Sequence, residues 1–310
     1  MCKAAEIVHE YNLHGCVTID LIMESPDLSS TELPEFFNYL SSTGVDCKKI
    51  TILTGNLLES YQGVNVQIMP HFMYELKDLQ ELKYTEADKD IQFYFGCMVS
   101  RTTLPRLDLS SYLFCNHSEK TFQTFHWQHN SDYHKTHLEL EKLLELYGPT
   151  SNEFADAITL LKHSPLLGED NIVYPPVKQK YDILPWYNKF FIDIVCETWY
   201  QGNNFFLTEK FWRSVRTKTP FIVQGPQNVL TNLKKLGFKT FSNYWDEGYQ
   251  EDPSYYNLTE IKKTIDYVAR KPKSEIESMY KDMYPILEHN YETMMNLSCN
   301  DIAQTIGKKK

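Results

Sequence analysis

Glu197, Glu209 and Lys210 interrupt an otherwise aromatic and apolar run, "CETWYQGNNFFLTEKFWRSVRTKTPFIVQG", at residues 196–225. Thr208 has the side chain of a helix N-cap, which places Glu209 and Lys210 in a first helical turn. Glu209 suits that turn, because a carboxylate complements the positive end of a helix dipole. Lys210 is repelled by the same end, and an anion bound beside it would relieve the repulsion. The chemistry these types and spacings suggest is therefore capture of an anion. The plainer alternative makes Glu209 a dipole partner and Lys210 a solvated charge, and spacing alone favours that alternative.

Such a site needs a strand ending at Glu197 and a helix starting at Thr208. "FFIDIV" supplies the strand and "TEKFWRSVRTK" the helix, followed by a second strand in "PFIVQG" and a helix in "QNVLTNLKKLG". "FKTFSNYWDEGYQ" then reads as a short strand and turn. The same grammar runs through the earlier chain. Strand candidates are "GCVTIDLIMES", "KKITILTGN", "VNVQIM", "IQFYFGCMVS" and "KTFQTFHW"; helix candidates are "SSTELPEFFNYLSSTG", "TTLPRLDLSSYLFCN" and "KTHLELEKLLELYG". Strands alternating with helices predict an α/β fold with parallel sheets. The most polar early stretch, "ELKDLQELKYTEADKD", marks a boundary, giving domains of residues 1–88 and 89–310.

The 310 residues suit two domains, and 42% hydrophobic content suits a large buried core. A net charge of −10 argues against nucleic acid as the main partner, which needs a basic footprint. Seven cysteines at irregular spacing, without a CxxC pair, point to a reducing compartment, and no apolar run is long enough for a membrane span. A cytoplasmic location is expected, the host's cytoplasm in the case of a viral chain.

The motif around Glu197 and Thr208–Lys210 resembles the donor-binding core of GT-B-type glycosyltransferases. It is similar above all to the inverting fucosyltransferases, whose "E-N-S … T-E-K" signature corresponds to "ETW" and "TEK" here. "PFIVQGPQNVLTNLKKLGFKTF" (220–241) is closer still to glycosyltransferase-like proteins of viruses, phages and bacteria that carry "LTEK … PFI … LxxLGFKTF". The detailed likeness covers roughly residues 95–250, and two departures stand out. Thr198 replaces the Asn of the signature, and the interval from Glu197 to Glu209 is longer than in the fucosyltransferases.

The resemblance implies two Rossmann-like lobes of GT-B architecture with an interlobe cleft. It implies an acceptor-side domain at 1–88, a donor domain at 89–310, and a last helix crossing back to the first lobe. The implied reaction moves a sugar from a GDP- or UDP-sugar to the hydroxyl of a glycan or glycoconjugate, with inversion and without a metal or other cofactor. Lys210 and either Arg101 or Arg106 would neutralise the donor diphosphate. Glu209 would hydrogen-bond the ribose, and Glu197 would contact the sugar. Trp199 and Tyr200 are candidates for stacking on the base or sugar. An acceptor base would come from the first lobe, where Glu24 and His71 follow predicted strands. Two other readings stand beside this one: a retaining transferase of the same architecture, and a carbohydrate-binding or assembly module without turnover.

Two further signals carry less weight. "DKD" (88–90) precedes a strand where a metal-binding DxD should follow one, and reads as a polar linker. His126, His129, His134 and His137 lack the single-face spacing of a zinc helix and read as a wet loop leading into a helix.

Overall fold

Three β-branched segments pair side by side as a small parallel sheet in the order β1 (Val17–Leu21), β2 (Ile50–Thr54), β3 (Asn65–Ile68). Val17 lies opposite Ile50, and Thr51 opposite Asn65. Helix α1 (Leu33–Ser42) lays Phe36, Phe37 and Leu40 against Ile50 and Ile52 of β2, which is the core of this lobe. In this computed structural model the described residues are 17–21, 33–42, 44, 46–56, 64–68, 72–83, 89–99, 102–125, 136–167, 181–197, 200, 204–250 and 258–306.

The second sheet has the order β6-β5-β4-β7-β8. Its strands are β4 (Phe93–Met98), β5 (Thr121–Phe125), β6 (Leu166–Leu167), β7 (Phe190–Cys196) and β8 (Phe221–Gln224). All pair in parallel except β6, a two-residue antiparallel edge. The protein is therefore α/β with parallel sheets, as its alternating pattern predicts. All seven residues of β7 are buried, as a central parallel strand covered on both faces requires. Gly96 in β4 has no room for a side chain, because a Cβ there would stand 2.4 Å from the Phe190 ring.

Helices cover both faces. They are α2 (Phe72–Glu81), α3 (Leu104–His117), α4 (Thr136–Tyr147), α5 (Asn152–His163), α6 (Glu209–Arg216), α7 (Val229–Lys235), α8 (Leu258–Ala269), α9 (Lys273–Asn296) and α10 (Cys299–Ile306). Although α2 precedes residue 89, its Leu76 and Leu79 belong to the large core of the second sheet. The Arg216 guanidinium donates to the carbonyls of Leu79 and Leu82, both at 3.1 Å, and Gln80 donates to the carbonyl of Met294 at 2.6 Å. These bonds tie α2 to α6 and α9.

The segment after α7 departs from expectation. "FKTF" forms no strand; turns follow it, and then a short 3-10 turn at Gly248–Gln250. The reason is local. Phe238 and Phe241 turn inward against Phe211 and Phe221, at ring-centroid distances of 5.6 and 5.1 Å. Side chains take the place of a neighbouring strand: Asn290 bonds both the N–H and the carbonyl of Lys239, and Glu247 accepts the N–H of Phe241. The "DKD" linker is likewise more than a tether, because the Lys89 ammonium donates to the Tyr187 carbonyl at 2.6 Å and to Thr219 Oγ1 at 2.7 Å.

Candidate functional site

The direction in which the chain winds across the second sheet reverses between parallel neighbours β4 and β7. From β4 the chain proceeds to β5 on one side, and from β7 to β8 on the other. In open α/β sheets the crevice beyond the carboxyl ends at such a switch point is where ligands bind. Here β4 leads into the N-terminus of α3, and β7 leads to Glu197 and then α6.

Burial and hydrogen bonding fix Glu197. It is fully buried, its N–H donates to the Gln224 carbonyl of β8 at 2.9 Å, and its carboxylate receives two bonds from Thr208. Those are the Thr208 N–H to Oε1 at 3.2 Å and the Thr208 hydroxyl to Oε2 at 2.6 Å. Thr208 is the N-cap of α6, its Oγ1 accepting the Lys210 N–H at 3.4 Å. Burial raises the Glu197 carboxyl above its ordinary value, while Lys210 and the two Thr208 donors pull it back down.

Glu209 follows directly. Its Oε1 lies 2.9 Å from Arg213 Nη2, one helical turn on, and 3.2 Å from Lys210 Nζ. Burial pushes its pKa up, but the two cations outweigh burial and bring it down to about 2. Lys210 Nζ also donates to Thr208 Oγ1 at 3.0 Å. One short helix thus gathers Glu197, Thr208, Glu209, Lys210 and Arg213 at the switch point. Below them in β7, buried Asp193 accepts a 2.6 Å bond from the Ser214 hydroxyl of α6, and burial raises its pKa to about 6.

Arg106 reaches the same strand end from the other side. It is 2% exposed, and its Nε and Nη2 donate to the Cys196 carbonyl at 3.3 and 2.9 Å. The guanidinium therefore bridges the switch point through backbone, holding the residue before Glu197. The N-cap of α3, Thr103, makes no capping hydrogen bond with its side chain, so the first turn of α3 is uncapped at the carboxyl end of β4. Tyr200 is half-buried in the loop after Glu197. Glu24, His71, Arg101 and Trp199 lie outside the described residues.

The first lobe reaches the cluster as well. Asn56, buried just beyond β2, accepts the Phe205 N–H at 3.1 Å on its Oδ1, and its own N–H bonds Thr54 Oγ1 at 3.2 Å. Phe205 lies in the buried stretch Asn204–Thr208. Sequence reasoning missed Arg213 and Asn56. The i, i+4 step from Glu209 to Arg213 was a readable signal for the first. The second had none, since an Asn after a strand is an ordinary turn residue.

Among the described residues, no three His, Cys, Asp or Glu side chains are grouped so as to hold a metal, and no helix is long and apolar enough to cross a membrane. No protein-family model matches the chain, and no curated protein matches it.

Proposed function

We propose that this chain is a glycosyltransferase that moves a sugar from a GDP- or UDP-sugar to an acceptor hydroxyl, with inversion. The observation that carries the reading is the cluster at the switch point, where the start of α6 sets Lys210 beside buried Glu197 and half-buried Glu209. Glu209 keeps Arg213 at 2.9 Å when Lys210 turns toward a diphosphate, and Glu197 keeps its two Thr208 donors.

In the reaction, the acceptor oxygen bonds to the anomeric carbon as the bond from that carbon to the diphosphate oxygen breaks. The acceptor proton passes to a first-lobe base, for which Glu24 and His71 are the candidates. Charge building on the leaving diphosphate is met by Lys210 and by Arg101, since the Arg106 guanidinium already serves the Cys196 carbonyl. Glu209 is assigned to the ribose, Glu197 to the sugar, and Trp199 and Tyr200 to stacking. Residues 1–88 are assigned to the acceptor and 89–310 to the donor, with the interlobe cleft between them.

The internal matching of these charges favours a second reading, in which the cluster is a structural knot and the chain a carbohydrate-binding module without turnover. Calorimetry with GDP and UDP separates the two. Lys210→Ala should weaken nucleoside-diphosphate binding by about 1.5–3 kcal/mol. Parent protein that binds neither nucleotide, or a variant that binds them as the parent does, defeats the donor-site reading.

A further inference from the structure

A hollow of about 470 Å³ lies between the turns that follow α7 and one face of α8. Its helical wall is Glu260, Lys263, Thr264 and Tyr267, which share a face by spacing, and its other wall includes Asn243, Tyr244 and Trp245. The Thr264 hydroxyl lies 3.1 Å from the Glu260 carbonyl of its own helix and 3.3 Å from the Asp246 carbonyl of the other wall.

The electrostatics restrict what fits. The carboxylate of Glu260 is paired with Lys263 at 2.6 Å, and Asp246 Oδ1 accepts the Gly248 N–H at 2.9 Å. An anion would meet both carboxylates. A cation would meet the Lys263 ammonium at the wall and the Lys271 ammonium, which already sits 4.5 Å from the Tyr267 ring centroid. The ligand that suits these walls is neutral.

The walls also state its shape. Tyr267 is 48% exposed, and half-buried Tyr244 lines the same hollow. Flat aromatic surface next to short polar side chains suits a ligand with an apolar face and a hydroxyl-bearing edge. Ser242 and Asn243 are exposed and supply those polar groups.

We propose that this hollow binds a neutral saccharide, with a pyranose face packed on Tyr267 and Tyr244 and its hydroxyls exchanging hydrogen bonds with Asn243, Ser242 and Asp246. The proposal does not rest on the donor-site reading, because the two sites share no residue.

The test titrates the whole chain with glucose, galactose, mannose, N-acetylglucosamine and cellobiose, read by saturation-transfer NMR and tryptophan emission. At least one sugar should bind saturably and shift the emission. Tyr267→Ala should weaken that binding about tenfold with an unchanged circular dichroism spectrum, and Tyr267→Phe should restore it. Lys210→Ala should bind the sugar as the parent does. The proposal is overturned if none of the sugars saturates, if Tyr267→Ala binds like the parent, or if tetramethylammonium occupies the hollow in their place.

Discussion

The carboxyl ends of strands β2 and β7 are made of opposite materials. The first runs into Thr54, Gly55 and Asn56, all buried and all neutral, and meets the second lobe through the Asn56–Phe205 hydrogen bond. The second ends in Glu197 and is completed by Thr208, Glu209, Lys210 and Arg213, a cluster in which ionised side chains are stacked within one helical turn. Opening a neutral hydrogen bond lets water satisfy both partners, whereas opening an ion pair that is largely out of water strands a charge. The difference teaches where the molecule yields: relative movement of the two lobes is easiest at Asn56, and the β7–α6 seam stays whole.

The largest test of that contrast removes a cation from the seam. Arg213 is 3% exposed and holds Glu209, so Arg213→Ala should cost about 3–5 kcal/mol in urea-induced unfolding. A loss below about 1 kcal/mol, the range of a surface pair, would erase the distinction between the two edges.

Next in size are two opposed dependences on pH. Asp193 has its pKa raised by burial to about 6 from an ordinary 3.8. The stability associated with its protonated form is complete below that ordinary value and is lost as pH rises through 6. Asp193→Asn, which keeps an acceptor for Ser214, should therefore gain on the parent by up to about 3 kcal/mol between pH 4 and pH 7. Glu209 runs the other way. Its pKa is lowered from 4.5 to about 2, so its contribution is present above 4.5 and disappears as pH falls through 2. Thermal melts of the parent, Asp193→Asn and Glu209→Gln across pH 2–7 should show slopes of opposite sign. Parallel slopes would mean that desolvation and charge pairing do not divide the seam in this way.

The second sheet was legible because its signals are redundant. "FFIDIVC" is too apolar to be anything but a covered strand, and "TEK" with a Thr cap starts a helix where one forms. The strand expected in "FKTF" fails because the side chains of Asn290 and Glu247, remote in sequence or in role, complete its backbone bonds. Alternation reports that a backbone wants partners and is silent on who supplies them. In the same way "ELKDLQELKY" reads as a polar boundary, yet Leu76, Leu79 and Leu82 commit it to the large core. Of the site, Glu197, Thr208, Glu209 and Lys210 come together because Thr208, eleven positions on, makes two hydrogen bonds to the Glu197 carboxylate at the strand end. Arg106 shows the limit of such reasoning: its place near the strand end was readable, but its commitment to the Cys196 carbonyl depends on the crossing of two elements.

The smallest expected effect is at the neutral edge, and it is the sharpest probe of the comparison. Asn56→Ala removes the acceptor of the Phe205 N–H while leaving the seam's charges untouched. Because water can replace a lost neutral partner once the edge parts, the stability cost should be about 1 kcal/mol. The local consequence should be larger than the global one: amide exchange at Phe205 should accelerate well beyond what that loss explains, while exchange along β7 should follow global unfolding. If exchange at Phe205 and along β7 instead quickens by the same factor, the neutral edge is fused to the ionic seam, and the two lobes open together or not at all.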